Sequence, residues 1–306
     1  MNLSDYARLG LNQHLLYADV IGDPAEHLRT LRIALADPRL EILDMWYPWE
    51  IKDAVLPAIA QSGKTMYYNM GNRAGQRSLA PAAMDDEHRA YTLRVYKDEL
   101  ERAKLCKAER IITNSGPNDV EHREECFDHL VDFYVELCKC AEGTLVMIEP
   151  TDFDTSKCKL IGSSAEAADI CRRVRDAGCP NMASMIDLCH VPLMHETICQ
   201  AFEDTGDYLE HIHLGTCVTD RESPFHGDKH PGVGIPGGVY GVEDFAEVFR
   251  IGLARGYFEN THRGSISIEM RTLPGRAGED SLDVYYDAVC RAWNLASRGS
   301  SADGHS

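Results

Sequence analysis

The sequence predicts a single-domain α/β protein built as a (β/α)8 barrel of the TIM type. Three observations carry this expectation. Short apolar runs that read as strands alternate with longer runs that read as helices, and eight of each can be followed along the chain. Glycine and proline are scattered rather than gathered, so no linker divides the 306 residues, and one core is expected over about 9–295. The last four strand-like runs end in carboxylates or an imidazole. A barrel would point these groups at one mouth, whereas a flat doubly wound sheet would spread them across several strands. No Gly-x-Gly-x-x-Gly loop follows the first strand, so dinucleotide binding has no local support.

Taken in order, residues 9–13 form a weak first strand with His14 just beyond it. Asp23-Pro24 then opens a helix towards Ala36, because Asp caps the free N–H groups and Pro suits the first helical position. Strand two covers 40–46, a helix 50–61 stops at Gly63, and strand three covers 64–70. Residues 71–85 lack periodicity and are long for a connection, which suggests a functional cover. A helix over 87–106, strand four over 110–113 and a helix over 120–140 follow. Strand five carries Glu149. Ser163 and Glu166 then form a capping-box signature for helix five. Strand six over 182–187 carries Asp187, and Pro192 is read as opening helix six. Strand seven carries His213, and a long Gly- and Pro-rich loop spans 216–241. A helix over 242–255, strand eight with Glu269, and a last helix over 281–295 complete the series. The Ser/Gly-rich tail 297–306 is expected to fray.

Composition narrows the function classes. Lys and Arg number 31 against 49 Asp and Glu, a net charge of -18, which disfavours a nucleic-acid backbone as partner. No run reaches the length of about 18 apolar residues that a membrane helix needs. Asp5 and Arg8 lie where a signal segment would have to be apolar, so a cytoplasmic protein is expected. The 11 cysteines read as reduced thiols rather than a disulfide framework, and the Cys138/Cys140 pair has no second pair to make a zinc site.

The chemistry concentrates at the strand ends. Leu145-Val146-Met147-Ile148 delivers Glu149, and Met182 to Ile186 delivers Asp187, with His190 shortly after. Leu209-Glu210-His211-Ile212 delivers His213, and Ile266-Ser267-Ile268 delivers Glu269. Glu149, Asp187, His213 and Glu269 together read as one mixed carboxylate–imidazole metal site. Such hard ligands suit Mn²⁺ first, with Mg²⁺, Co²⁺ or Zn²⁺ as alternatives. Alternation is read as pointing His211 away from His213, as a packed and hydrogen-bonded core histidine. Cys189 is read as a non-ligand. Bound metal would acidify a carbon beside a carbonyl, with Glu149 and Glu269 on opposite sides to remove and return the proton. Tyr67, Asn69, Asn114, His14, Trp46 and Arg271 lie near strand ends and suggest a pocket with hydroxyl-binding groups and an aromatic wall.

Four motifs extend this reading: Ile-Glu-Pro at Glu149, Ile-Asp-Leu-Cys-His from Asp187 to His190, His-Ile-His-Leu around His213, and Ile-Glu-Met at Glu269. In that order they resemble the xylose-isomerase-like barrels, especially the sugar and sugar-phosphate isomerase/epimerase group and the ketose 3-epimerases. The resemblance implies that Glu149, Asp187, His213 and Glu269 bind one divalent metal. It also implies that His190 contacts a substrate oxygen and that the two glutamates carry a 3-epimerisation. Those epimerases place an Arg soon after the ligand His, and Arg221 is the candidate here.

The loop after strand seven opens other comparisons. Asp228 and His230 resemble the Asp-x-His pair of class-two AP endonucleases, which bind three zinc ions, but Asn69 and Asn114 stand where those enzymes need histidines. The same loop resembles the catalytic subunits of C-glycoside deglycosidases, carbon–carbon lyases that act on 3-oxo-glycosides with a small partner subunit. The polar Asp228-Lys229-His230 run, in a loop on the catalytic side, is read as placing His230, and less strongly His226, in the mouth, acting in substrate binding or proton transfer. The expected function is isomerisation or epimerisation of a small carbohydrate or cyclic polyol ketone, by a homo-oligomer. Lyase action in a hetero-oligomer with a small subunit is the second reading, and a non-catalytic sugar-binding protein the third.

Overall fold

The computed structural model describes residues 1–71 and 78–299. Eight parallel strands close into a barrel in sequence order, β1 through β8 and back to β1. They are β1 (Ala7–Asn12), β2 (Ile42–Met45), β3 (Thr65–Asn69), β4 (Arg110–Thr113), β5 (Leu145–Ile148), β6 (Met182–Asp187), β7 (Leu209–Leu214) and β8 (Gly264–Ile268). The helices that follow them are α1 (Pro24–Ala36), α2 (Lys52–Ser62), α3 (Asp86–Leu105), α4 (Arg123–Cys140), α5 (Ser164–Asp176), α6 (Ile198–Thr205), α7 (Val242–Ala254) and α8 (Gly278–Gly299). No helix among the described residues is long and apolar enough to cross a membrane.

Local chemistry sets most helix starts. The Asp23 carboxylate accepts N–H bonds from Ala25 and Glu26, both at 3.0 Å, and Pro24 occupies the first position of α1. Ser163 accepts the Glu166 N–H at 3.2 Å, but the Glu166 carboxylate takes the N–H of Gly162 at 2.9 Å rather than that of its own cap. Half of the expected capping box is therefore present.

Some boundaries differ from the sequence reading. α4 starts at Arg123 and α6 at Ile198, not near Val120 and Pro192. Between β6 and α6 the chain instead winds through turns. The His190 and Val191 N–H groups return to the Asp187 carbonyl at 2.9 and 3.2 Å, which holds His190 beside the end of β6. α8 continues through Gly299, so 297–299 are helical and only 300–306 of the expected tail fall outside the described residues. Residues 72–77 of the expected cover also fall outside them.

Strand alternation divides the core into two layers. Ile42, Tyr67, Ile112, Met147, Ala183 and Met185 fill the barrel interior. Residues of opposite parity, such as Leu43, Tyr68, Val146, Ile186, Ile212 and Ile266, pack outwards in the layer that contains the helices. Gly10 has room for no side chain, since a Cβ would lie 2.3 Å from Ser267 Oγ and 2.8 Å from Ile42 Cβ. The interior plug is closed below the C-terminal mouth, and the polar strand-end side chains lie above it.

Candidate metal centre and its cavity

Parallel strands bring their C-terminal ends to one side, so inward-facing residues at those ends must meet. Glu149, Asp187, His213 and Glu269 do so: their ligand atoms all lie within 4.8 Å of one another. Asp187 and His213 are direct neighbours across β6 and β7. Asp187 and His213 are fully buried, and Glu269 is 4% exposed. Asp187 Oδ2, His213 Nδ1 and Glu269 Oε2 are buried atoms without a hydrogen bond, and their ion-pair contacts are with imidazoles or carboxylates of the same cluster and with His190. Burying such groups unsatisfied is costly unless a cation completes them. The donor set therefore fits a divalent cation held by hard oxygens and one imidazole.

The charges confirm the crowding. Burial, and then Glu269 beside it, push the Asp187 carboxyl well above its ordinary range. Burial alone would lower the His213 imidazole, but Glu269, Asp44 and Glu149 outweigh it and raise it well above the usual value. Burial also opposes ionisation of Glu269, yet His213 and His230 overcome it and hold that carboxyl low.

A second layer orients these candidate ligands. His213 Nε2 donates to Asp44 Oδ2 at 3.1 Å, which turns Nδ1 towards the centre. Asn12 Nδ2 donates to Glu269 Oε1 at 2.6 Å. The Asp187 Oδ1 atom accepts the Cys189 N–H at 2.8 Å, leaving Oδ2 free to face the centre. Asp44 and Asn12 were absent from the residues singled out in the sequence. A signal existed for Asp44, as a lone charge within the apolar run Ile42 to Trp46 requires a buried partner.

His211 corrects an expectation. It is buried and hydrogen-bonded, to Ser265 Oγ at 2.8 Å and to Asp44 Oδ2 at 3.3 Å, but it faces the same way as His213. Residues two apart on a strand share a face, and the two rings lie 4.9 Å apart. Cys189 lies closer to the centre than expected: its Sγ is within 4.8 Å of ligand atoms of Asp187 and His230, burial pushes the thiol up, and Sγ donates to the Thr216 carbonyl at 3.1 Å. An outer carboxylate on a ligand histidine is worth about 10–100-fold in metal affinity. Asp44→Asn is therefore expected to weaken divalent-metal binding by that factor, measured by competition with a chelating dye. Unchanged affinity would remove the orienting role from Asp44.

A cavity of about 200 Å³ opens above the centre. Of the expected contact residues, His14, Asn69, Asn114, His190, His230 and Arg271 line it, with Glu149 and Glu269 at its base. Asn69 and Asn114 also accept the N–H groups of Gly71 and Gly116, at 2.8 and 3.1 Å, and so brace the turns after β3 and β4. Burial holds His14 neutral, lowered to about 3, and pushes His190 well below its usual value. His190 Nε2 lies 3.3 Å from Asp187 Oδ2.

Four of the expected residues lie outside this lining. Trp46 packs against the His27 ring at 5.4 Å and lines an adjoining cleft instead of this one. Arg221 is exposed on a turn of the long loop and does not line the cavity. Tyr67 is sealed in the interior plug, its ring 4.8 Å from that of His211. His226 is half-buried and also lies outside the lining. A wider depression of about 850 Å³ at the start of α4 is lined by exposed and half-buried side chains and has none of this chemistry.

The 216–241 loop folds back on itself and places His230 in the mouth. Val218 bridges to both His226 and Gly238, and Thr216 Oγ1 accepts the Tyr240 N–H at 2.9 Å. His230 has a left-handed backbone, φ 46°, and its Nε2 lies 2.5 Å from Asp228 Oδ1. Non-glycine residues adopt that conformation only where surrounding contacts enforce it. Here the Arg271 N–H donates to the His230 carbonyl at 2.9 Å. His190, Asp228 and His230 form a second group within 4.8 Å, but Lys157 Nζ already pairs with Asp228 Oδ2 at 2.5 Å.

Comparison with known proteins agrees with this architecture. The profile of a family described as "Xylose isomerase-like TIM barrel" matches residues 51–288. Solved structures of similar fold include a D-psicose 3-epimerase from Clostridium cellulolyticum H10, at 19% identity and TM-score 0.61, covering 96% of this chain and 98% of that one. A 3-keto-D-glucoside 4-epimerase from E. coli is 16% identical with TM-score 0.66, covering 92% and 98%. A family 2 AP endonuclease from Brucella melitensis is 18% identical with TM-score 0.66 and the same coverage of 92% and 98%. At these identities the likeness shows the fold alone. No curated protein sequence matches the chain.

Proposed function

The chain belongs to the xylose-isomerase-like TIM barrel family, and we propose that it is a divalent-metal-dependent isomerase or epimerase of a sugar or cyclic polyol ketone. One observation carries the reading. Two glutamates, Glu149 from β5 and Glu269 from β8, reach the same buried centre from positions separated by two strands, with Asp187 and His213 between them. A divalent cation held there would polarise a substrate carbonyl and make the neighbouring C–H more acidic. Glu149 and Glu269 can then address opposite sides of that carbon, one removing the proton and the other returning it. His190 and His14 line the cavity with buried Nδ1 atoms free to bond hydroxyl groups. Asn69 and Asn114 hold turns with their Oδ1 atoms and can offer their amide N–H groups to substrate.

The names of fold relatives agree with this chemistry, since several are ketose 3-epimerases and one is a keto-glucoside 4-epimerase. A second reading, a lyase acting on 3-oxo-glycosides, shares the first proton abstraction. It draws support from His230, whose imidazole is fixed by Asp228 at the mouth where a leaving group would need a proton.

Incubation of manganese-loaded protein in D₂O with ketoses, inosose-like ketones and 3-oxo-glycosides tests the proposal. Deuterium is expected to enter the carbon beside the carbonyl, read by NMR. Inversion or a moved carbonyl supports isomerisation, and a released aglycone supports the lyase. Turnover with full isotope retention at that carbon would sink both.

A further inference from the structure

The cavity lining balances three cations, Lys157, Lys159 and Arg271, against three carboxylates, Glu149, Asp228 and Glu269, in a chain of net charge -18. Its outer wall is the loop after β5, and one buried residue builds that wall. Asp152 is fully buried, and its carboxylate accepts the N–H groups of Thr155 and Lys157, at 2.8 Å each, together with that of Ser156. The loop then runs antiparallel to the segment after β4. Asn118 N–H donates to the Cys158 carbonyl at 3.0 Å, and Leu160 N–H to the Gly116 carbonyl at 3.1 Å. These bonds fix the backbone on both sides of Lys159, and both Lys157 and Lys159 line the cavity.

The two lysines are not equivalent. Lys157 has a carboxylate partner, Asp228. Lys159 is half-buried, and no side chain among the described residues takes a hydrogen bond or ion pair from it. The acid that feels it, Asp152, already uses its oxygens on backbone N–H groups. Burial and then the neighbouring Lys157 depress the Lys159 ammonium by more than Asp152 raises it. Thr151 Oγ1, buried and without a hydrogen bond, lines the same wall. Arg271 faces the cavity from the β8 side, with Nε held by the Lys229 carbonyl at 3.0 Å. The cavity's carboxylates are otherwise engaged, Glu149 and Glu269 at the ligand cluster and Asp228 by Lys157. Lys159 and Arg271 are left over, in a protein of net charge -18.

We propose that the substrate of this site carries an anionic oxygen group, a carboxylate or a phosphate, received by Lys159 with Lys157 beside it at the β5-loop end of the cavity. The assignment rests on the ketone-binding reading of the centre only for where the rest of the substrate lies. Lys159 is a binding residue here, and its preset position lets it hold the anion without reordering the loop.

Three probes with one carbon skeleton test it: D-fructose, D-fructuronate and D-fructose 6-phosphate, titrated calorimetrically into the metal-loaded full chain. One charged probe is expected to bind roughly 10- to 100-fold more tightly than D-fructose, the usual range for a charge-assisted contact. Which one does so decides between carboxylate and phosphate. Lys159→Gln is expected to abolish the preference while leaving metal affinity unchanged, and Lys159→Arg to restore most of it. Added salt should weaken the charged probe alone. Equal binding of all three probes, no binding of either charged probe, or a preference that survives in Lys159→Gln would overturn the proposal. Lys159-dependent binding with turnover but no deuterium uptake would sink the proton-abstraction reading and leave the anion site standing.

Discussion

Protein carrying His213→Ala, purified without chelator, is expected to contain almost no divalent metal, while His211→Ala keeps most of it. His213 presents Nδ1 to Asp187, Glu149 and Glu269, whereas both nitrogens of His211 are turned to Asp44 and Ser265. Loss of a ligand should exceed the roughly 100-fold upper effect of losing an outer partner. The reading is elemental analysis of both variants beside wild type. Equal metal in wild type and His213→Ala would defeat the assignment.

The same site fixes the pH sign. In the metal-free chain the Asp187 and His213 values are raised, so both groups hold protons further up the pH scale than usual. Metal must displace those protons, so affinity is expected to rise with pH, and uptake in weak buffer to acidify the solution. Affinity that falls with pH would contradict this ligand set.

The second large effect concerns the two glutamates. Glu149→Gln and Glu269→Gln are each expected to slow proton exchange beside the substrate carbonyl by roughly 10²–10⁴-fold, the usual contribution of a positioned acid or base. Both are also proposed ligands, so rate alone would confuse lost chemistry with lost metal. Stereochemistry separates them. If the glutamates serve opposite faces, Glu149→Gln stops deuterium exchange of one epimer and spares the other, and Glu269→Gln shows the reverse. Lost metal would stop both epimers alike in either variant. Equal slowing of both epimers in metal-replete variants would mean that the glutamates do not divide the faces.

The local sequence carried a large part of this protein. Apolar period-two runs placed the strands, and Asp23-Pro24 and Ser163 marked helix starts, because alternation and capping depend on residues within a turn or two of each other. Glu149, Asp187, His213 and Glu269 were legible for the same reason: a parallel barrel sends every strand end to one mouth, so position at the end of a strand is enough to predict convergence.

Tertiary structure alone decided which groups meet across the barrel and which loops reach it. Pairing of β6 with β7 shifts register between Ser184 and Met185, and that shift sets Asp187 opposite His213. Asp44 meets His213 from β2, 169 residues away in the chain, a partnership set by barrel closure rather than by any local period. Arg221 and Trp46 lie close in sequence to the strand ends but turn away from the cavity. Lys157 and Lys159 carry no motif, yet Asp152 draws their loop over the mouth. A side chain's face follows from its own strand, but its partner follows from how distant segments close around it, and no short stretch of sequence contains that information.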